Sequence, residues 1–171
     1  ANMEQARSVL DPVTDLAADS AEPQKVHTPG QKTIAEVSAF LKLDARNHIK
    51  SLVYIADSRP VLILLRGDHS LNEAKFSSLV GTTVFRPATN QEIAEFMGAD
   101  AGSLGPCGVK QMRILADEAL RGRRNLVCGA NENDYHLTGV TPGVHFQAEY
   151  ADLRSVNEGE TCSQCRKEKL H

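Results

Sequence analysis

Ser51-Leu-Val-Tyr-Ile-Ala56, then Asp57-Ser-Arg-Pro60, then Val61-Leu-Ile-Leu-Leu65 is the stretch that decides the fold. Two runs rich in β-branched and other strand-forming residues are split by a turn signal, which predicts a β-hairpin. The second run is apolar at every position, not at alternate ones, so it predicts a central strand covered on both faces. On either side, Thr33-Ile-Ala-Glu36, Ser70-Leu-Asn-Glu73 and Thr89-Asn-Gln-Glu92 have capping-box spacing. In that pattern a hydroxyl accepts the third-residue N–H and the glutamate reaches back. Helically spaced apolar residues follow each box: Ile34, Val37, Leu41; Leu71, Phe76, Leu79; Ile93, Phe96, Met97. Further strands are predicted at Val84-Phe85, Met112–Leu115, Leu126–Cys128 and Tyr135–Val140. Short helices interspersed with a mixed sheet set the expected class, α+β (mixed α/β).

The 171 residues hold one domain's worth of core, with 41% hydrophobic and 24% charged residues, an ordinary globular balance. Nineteen Lys and Arg against 22 Asp and Glu give a net charge of −3, so bulk charge does not hold this chain to nucleic acid. No apolar run approaches the roughly 20 residues that span a bilayer, and no signal peptide opens the chain. Four cysteines are too few and too unevenly spaced for a secreted disulfide scaffold, so a cytoplasmic setting is expected. Cys162-Ser-Gln-Cys165 has zinc-knuckle spacing, yet a structural zinc site needs four ligands. It reads as half of a zinc ribbon or as two idle thiols in a polar tail. Cys107 and Cys128 have no such partner spacing. The opening Ala1-Asn2 and the polar tail read as flanks of a longer protein, giving an expected division into 1–25, 26–157 and 158–171.

Several residues are candidates for chemistry. Ala101-Gly-Ser-Leu-Gly105 superficially resembles a nucleophile elbow, but that motif needs a strand before its serine and a helix after it, and neither is predicted here. What remains is Gly102-Ser-Leu-Gly-Pro106, a loop whose glycines permit close backbone approach and can turn N–H groups toward a carbonyl oxygen or an anion. Lys50 stands at the mouth of the first hairpin strand, where lysine holds a phosphate or is simply solvated. His136 lies where a turn enters a strand and suits a donor, a base or a pocket wall. Asp117 is either a helix N-cap or a polar site residue. Arg121-Gly-Arg-Arg124 is the densest basic cluster, a solvated turn or a place for an RNA phosphate. There is no Ser–His–Asp set, no metal-spaced ligand group, no P-loop and no G-x-G-x-x-G.

Taken in order, these motifs resemble one family. The series is His27-Thr28-Pro29-Gly-Gln-Lys-Thr33-Ile-Ala-Glu36, Lys50-Ser-Leu-Val, Leu62-Ile-Leu-Leu-Arg66-Gly-Asp-His-Ser-Leu-Asn-Glu73, Gly102-Ser-Leu-Gly-Pro106, Gly129-Ala-Asn131 through Tyr135-His136, and Ala151-Asp-Leu-Arg154. It is similar to the editing insertion of bacterial prolyl-tRNA synthetases, related to the YbaK-like aminoacyl-tRNA deacylases. The likeness covers about residues 26 to 157. It implies a twisted mixed sheet flanked by short helices, and hydrolysis of the ester that joins a wrong small amino acid, chiefly alanine, to tRNA(Pro).

By the same resemblance Lys50, Gly102 and His136 are the expected catalytic residues. Thr28, Gly105, Pro106 and Asp117 are the expected substrate-binding ones. No cofactor or metal is implied for editing; ATP belongs to a synthetase core that this sequence lacks. The implied partners are the charged tRNA 3′ end and a parent synthetase in cis, with no membrane. The alternative is a non-catalytic insertion that positions tRNA or braces the synthetase. Cys107-Gly-Val-Lys-Gln111 departs from the more apolar run of the family, and Thr141-Pro142 stands near a usual tryptophan.

Overall fold

The computed structural model describes residues 22–155. Residues 1–21 of the expected first flank, and the Cys162 and Cys165 pair, lie outside that range. The central hairpin is β2 (Ile49–Ala56) and β3 (Arg59–Arg66), in register from Ile49 opposite Arg66 to Ala56 opposite Arg59. Its turn is only Asp57-Ser58, both at positive φ (48° and 67°), the geometry that matches strand twist across a two-residue loop. Arg59 and Pro60, expected in the turn, belong to β3. Pro60 is tolerated because the neighbour on its other side, β5 (Arg113–Asp117), pairs only from Val61 onward, so no ladder donor is missed there.

The all-apolar run behaves as expected. Leu62 and Leu64 face one core, with Ile49, Val53, Ile114, Leu126 and Val140. Val61, Ile63 and Leu65 face another, with Tyr54, Phe76, Leu115 and Leu153. β4 (Phe85–Pro87), β2, β3, β5 and β8 (Glu149–Ala151) form a five-stranded mixed sheet in that order. A second sheet joins β1 (Gln24–His27), β7 (Tyr135–Val140) and β6 (Leu126–Gly129). A bridge between His48 and Val127 ties the two sheets together. The short strands β1 and β8 carry no alternation that announces them. They exist because β7 and β5 offer them an edge.

The helices are α1 (Ile34–Leu41), α2 (Glu73–Val80) and α3 (Asn90–Met97). Thr33 and Thr89 close complete capping boxes with Glu36 and Glu92. The third box is different: α2 is capped by Asn72, whose side chain accepts from the Lys75 N–H. Ser70 and Leu71 are held by the C-terminal segment, through Ser155 N–H to the Ser70 carbonyl and a Leu71–Arg154 bridge. That pairing keeps the chain extended past Ser70 and frees Glu73 to accept the Tyr54 hydroxyl at 2.8 Å.

Candidate active site

A cavity of about 240 Å³ opens at the seam between the sheets. Its walls are Lys32, Thr33, Ile34 and Val37 around the start of α1, and His48 to Leu52 of β2. Ala101, Gly102 and Leu104 of the loop, Val127 to Gly129 of β6, and His136 of β7 complete it. Of the expected catalytic residues, Lys50, Gly102 and His136 therefore meet in one place, although 86 residues of sequence separate the first from the last. A larger groove of about 620 Å³ lies elsewhere, beside the hairpin tip, and holds none of the residues that the motifs single out.

Lys50 is half-buried at the start of β2, and its Nζ donates to the His69 carbonyl. Burial lowers its pKa, while the Asp68 carboxylate acts in the opposite sense. The carbonyl is aimed by the turn after β3, where Arg66 grips Asp68 through two bonds of 2.6 and 2.9 Å. The Arg66-Gly-Asp-His69 motif thus serves the site indirectly, by presenting an acceptor to the lysine.

His136 is 5% exposed and its Nδ1 lies 2.6 Å from the Thr28 hydroxyl. Burial lowers its pKa, and a bond to the Gly102 backbone partly restores it. Lowered from an ordinary value already below 7, the ring is neutral at pH 7, and its Nδ1 shares a hydrogen bond with the Thr28 hydroxyl. Thr28, expected to touch substrate, is fully buried behind the ring and orients it. The neighbouring cavity histidine, His48, is pushed down to about 4, first by burial and then by His136.

The 102–106 loop is held from behind. Asn131 accepts the Gly105 N–H at 2.9 Å and donates Nδ2 to the Gly105 carbonyl at 2.9 Å, while its own N–H bonds the Ser103 carbonyl at 2.8 Å. The contact is so close that a Cβ on Gly129 would lie 2.2 Å from the Ser103 carbonyl carbon. Gly102 itself adopts φ +97°, where a side chain is strained and would collide with Lys32 at 2.8 Å. Gly105 and Pro106 are buried supports and do not line the cavity, because Gly105 is locked against β6.

The Ser103 and Gly105 N–H groups are already spent, on the Asp100 carbonyl and on Asn131. Those of Gly102 and Leu104 find no acceptor among the described residues. Ser51 Oγ, also at the cavity, is buried without a hydrogen-bond partner among them. Such an orphan is uncommon and calls for a ligand or a water. Sequence reasoning missed Ser51, and it quoted Gly129 and Asn131 in the family pattern without giving them a task.

Asp117 requires a correction. It does not line the cavity. Its carboxylate accepts the Ala119 N–H at 2.9 Å and those of Leu153 and Arg154 at 2.8 and 3.0 Å. It caps a short 3-10 turn, as the N-cap alternative had it, and latches the segment that follows β8. The basic cluster is also largely consumed. Arg121 pairs with Glu118 and covers the Tyr150 ring at 4.6 Å, and Arg123 is buried against the Arg46 carbonyl and Asn47. The Ala101–Gly105 stretch has no strand before its serine and no helix after it, and Ser103 is 4% exposed, so it is no nucleophile elbow. No group of three or more potential metal ligands occurs among the described residues.

This fold, with a half-buried lysine beside a glycine loop and a buried histidine, has a known class. The chain belongs to the aminoacyl-tRNA editing domain family, whose model matches residues 28–146. Among its curated relatives, a proline–tRNA ligase of Streptococcus gordonii (strain Challis) is 47% identical over 94% of this chain, and one of Streptococcus pyogenes serotype M1 is 44% identical over the same share. The chain spans 26% of the length of each. A crystal structure of a protein proposed as a trans-editing enzyme for prolyl tRNA synthetase superimposes with a TM-score of 0.68 at 26% identity, over 77% of this chain and 86% of that one.

Proposed function

We propose that this chain removes a small amino acid, chiefly alanine, from tRNA(Pro) by hydrolysing the aminoacyl ester, as the post-transfer editing unit of a proline–tRNA ligase. The observation that carries the reading is the convergence of Lys50, Gly102, Leu104 and His136 on one small cavity, with no acceptor for the Gly102 and Leu104 N–H groups among the described residues. At about 240 Å³ it falls below the roughly 300–1,000 Å³ of drug-sized sites, a scale suited to an aminoacyl end.

An aminoacyl ester is activated, so hydrolysis needs a placed water and donors for the developing oxyanion more than a protein nucleophile. The Gly102 and Leu104 N–H groups take the oxyanion. Lys50 turns from the His69 carbonyl to a phosphate of the tRNA 3′ end. Ser51 and the terminal ribose hydroxyl hold the water, and the His136 ring, fixed by Thr28, walls the amino-acid side. Discrimination is steric: a pocket sized for a methyl group refuses a pyrrolidine ring, whereas a synthetic site sized for proline cannot refuse alanine. The net charge of −3 fits a domain that meets its tRNA at high effective concentration beside a parent synthetase.

The deciding assay incubates this chain with alanyl-, cysteinyl- and prolyl-tRNA(Pro). Alanine is expected to be released and proline retained. Lys50→Ala should lose release at least about 10²-fold with its circular dichroism unchanged, and a substrate lacking the terminal 2′-hydroxyl should react far more slowly. Absence of alanine release from both this chain and its parent ligase overturns the proposal in favour of a non-catalytic brace.

A further inference from the structure

The cavity is a wedge where β2 and β6 part. His48 bridges Val127, but two residues further on the Gly129 N–H donates to the Leu104 carbonyl of the 102–106 loop at 3.1 Å. One wall of the wedge is therefore that loop, and another is an edge of β2. Backbone alternation fixes what the edge presents. The Gly67 N–H donates to the His48 carbonyl at 2.9 Å, so His48 and every second residue after it turn their peptide groups toward β3. Ile49, Ser51 and Val53 turn theirs the opposite way. The Val53 carbonyl accordingly accepts the Ala88 N–H at 2.9 Å, on the side where β4 lies. β4 pairs with β2 only at Tyr54 to Ala56. Beyond the His48–Val127 bridge, no strand among the described residues covers the edge at Ile49 and Ser51. Their carbonyls are acceptors without a ladder, on residues that line the cavity.

The charges on the wedge have one sign. Lys32 and Lys50 line it, and no Asp or Glu is among the described residues that do. The carboxylates that feel these lysines are engaged already. Glu36 accepts the Lys32 and Thr33 N–H groups, each at 3.0 Å, and Asp68 is held by Arg66. An ammonium group entering the wedge meets two like charges and no unengaged carboxylate. A neutral N–H or O–H donor meets the open carbonyls instead.

We propose that the β2 edge receives the α-substituent of the acyl group as a neutral hydrogen-bond donor, and that the chain therefore also hydrolyses α-hydroxyacyl esters of tRNA(Pro), lactyl above all. The proposal rests on the ester-hydrolase reading. With the ester carbonyl on the Gly102 and Leu104 N–H groups, the next carbon turns its substituent to the other wall. A hydroxyl is close to an amine in size and donates to a carbonyl as well, so the wedge has no means of refusing it. The chemistry is unchanged. Water adds to the acyl carbon, the bond from that carbon to the ribose oxygen breaks, and the ribose oxygen leaves with a proton, giving the hydroxy acid and uncharged tRNA.

The chain is incubated with alanyl-, lactyl- and propionyl-tRNA(Pro), and each rate is divided by that ester's spontaneous hydrolysis. Lactyl release should stand within about tenfold of alanyl release. Propionyl, which leaves the carbonyls unpaired, should fall at least about tenfold below lactyl. Lys50→Ala should lower lactyl and alanyl release alike. The kcat/KM ratio of alanyl to lactyl ester should rise between about pH 6 and about pH 8, as the alanyl amine loses its proton. The titratable groups around the wedge are Lys32 and Glu36 at the start of α1, His48 and Lys50 at β2, Asp68 after β3, and Cys128 and His136 in the second sheet. They act on both esters and cancel in that ratio. Four outcomes overturn the inference while the editing reading stands: alanyl release without lactyl release, propionyl equal to lactyl, lactyl release that survives Lys50→Ala, or a ratio that stays flat or falls with pH. Release of none of the three esters overturns both.

Discussion

Asn131 shows how one side chain can set the shape of a cavity loop. Its carboxamide offers an acceptor and a donor to the two sides of Gly105, the same pairing a strand neighbour would supply. Asn131→Ala leaves the buried Gly105 N–H without a partner, which costs about 1–3 kcal/mol. It also loosens the loop, so deacylation should fall about 10²-fold, measured per folded molecule at saturating substrate. Asp117 makes the opposite prediction. Because its carboxylate is spent on three backbone N–H groups, Asp117→Ala should lower the stability to urea by about 3 kcal/mol and leave the rate of the folded fraction intact. A large rate loss at unchanged stability would return Asp117 to the pocket.

The elements are built from ordinary local chemistry that the tertiary structure edits in one place. Thr33 and Thr89 cap α1 and α3 as their spacing dictates, and Thr33 also places the start of α1 on the cavity rim. At α2 the cap moves to Asn72. Asn72→Ala should therefore cost about 1 kcal/mol in thermal or urea unfolding, whereas Ser70→Ala should be near neutral. Equal losses would show that Ser70 caps after all. The charged string after β3 is likewise an element-scale device. Arg66 holds Asp68, and buried Lys75 holds Asp152 at 3.0 Å and the Arg154 carbonyl at 2.9 Å, pinning α2 to the C-terminal segment.

At the scale of the molecule, two sheets meet at His48, and acid should pull that seam apart. His48 and His69 are almost wholly buried, and burial is the main cause that lowers each to about 4. An unfolded chain binds these protons near pH 6.5. Stability is therefore full above that value and is lost as pH falls from about 6.5 through 4, by about 3 kcal/mol per histidine. Urea unfolding at pH 7, 5.5 and 4.5 should show the decline, and His69→Leu should flatten it. A pH-independent midpoint across that range would refute the assignment. No helix among the described residues is long and apolar enough to cross a membrane.

By itself the sequence determined the central hairpin, the doubly covered strand and two of the three helix caps, and its motifs singled out Lys50, Gly102 and His136, which line one cavity. These are periodicity, turn chemistry and motif, and each is written within a few consecutive residues. Only the tertiary structure decided what depends on contact between distant segments: the capping of α2, the latch at Asp117, the clamp at Asn131 and the inward turn of Arg123. It also decided which loop N–H groups find no acceptor among the described residues. A residue's type limits the bonds it can make, but the partner that takes them is chosen by packing, and packing is a property of the whole chain.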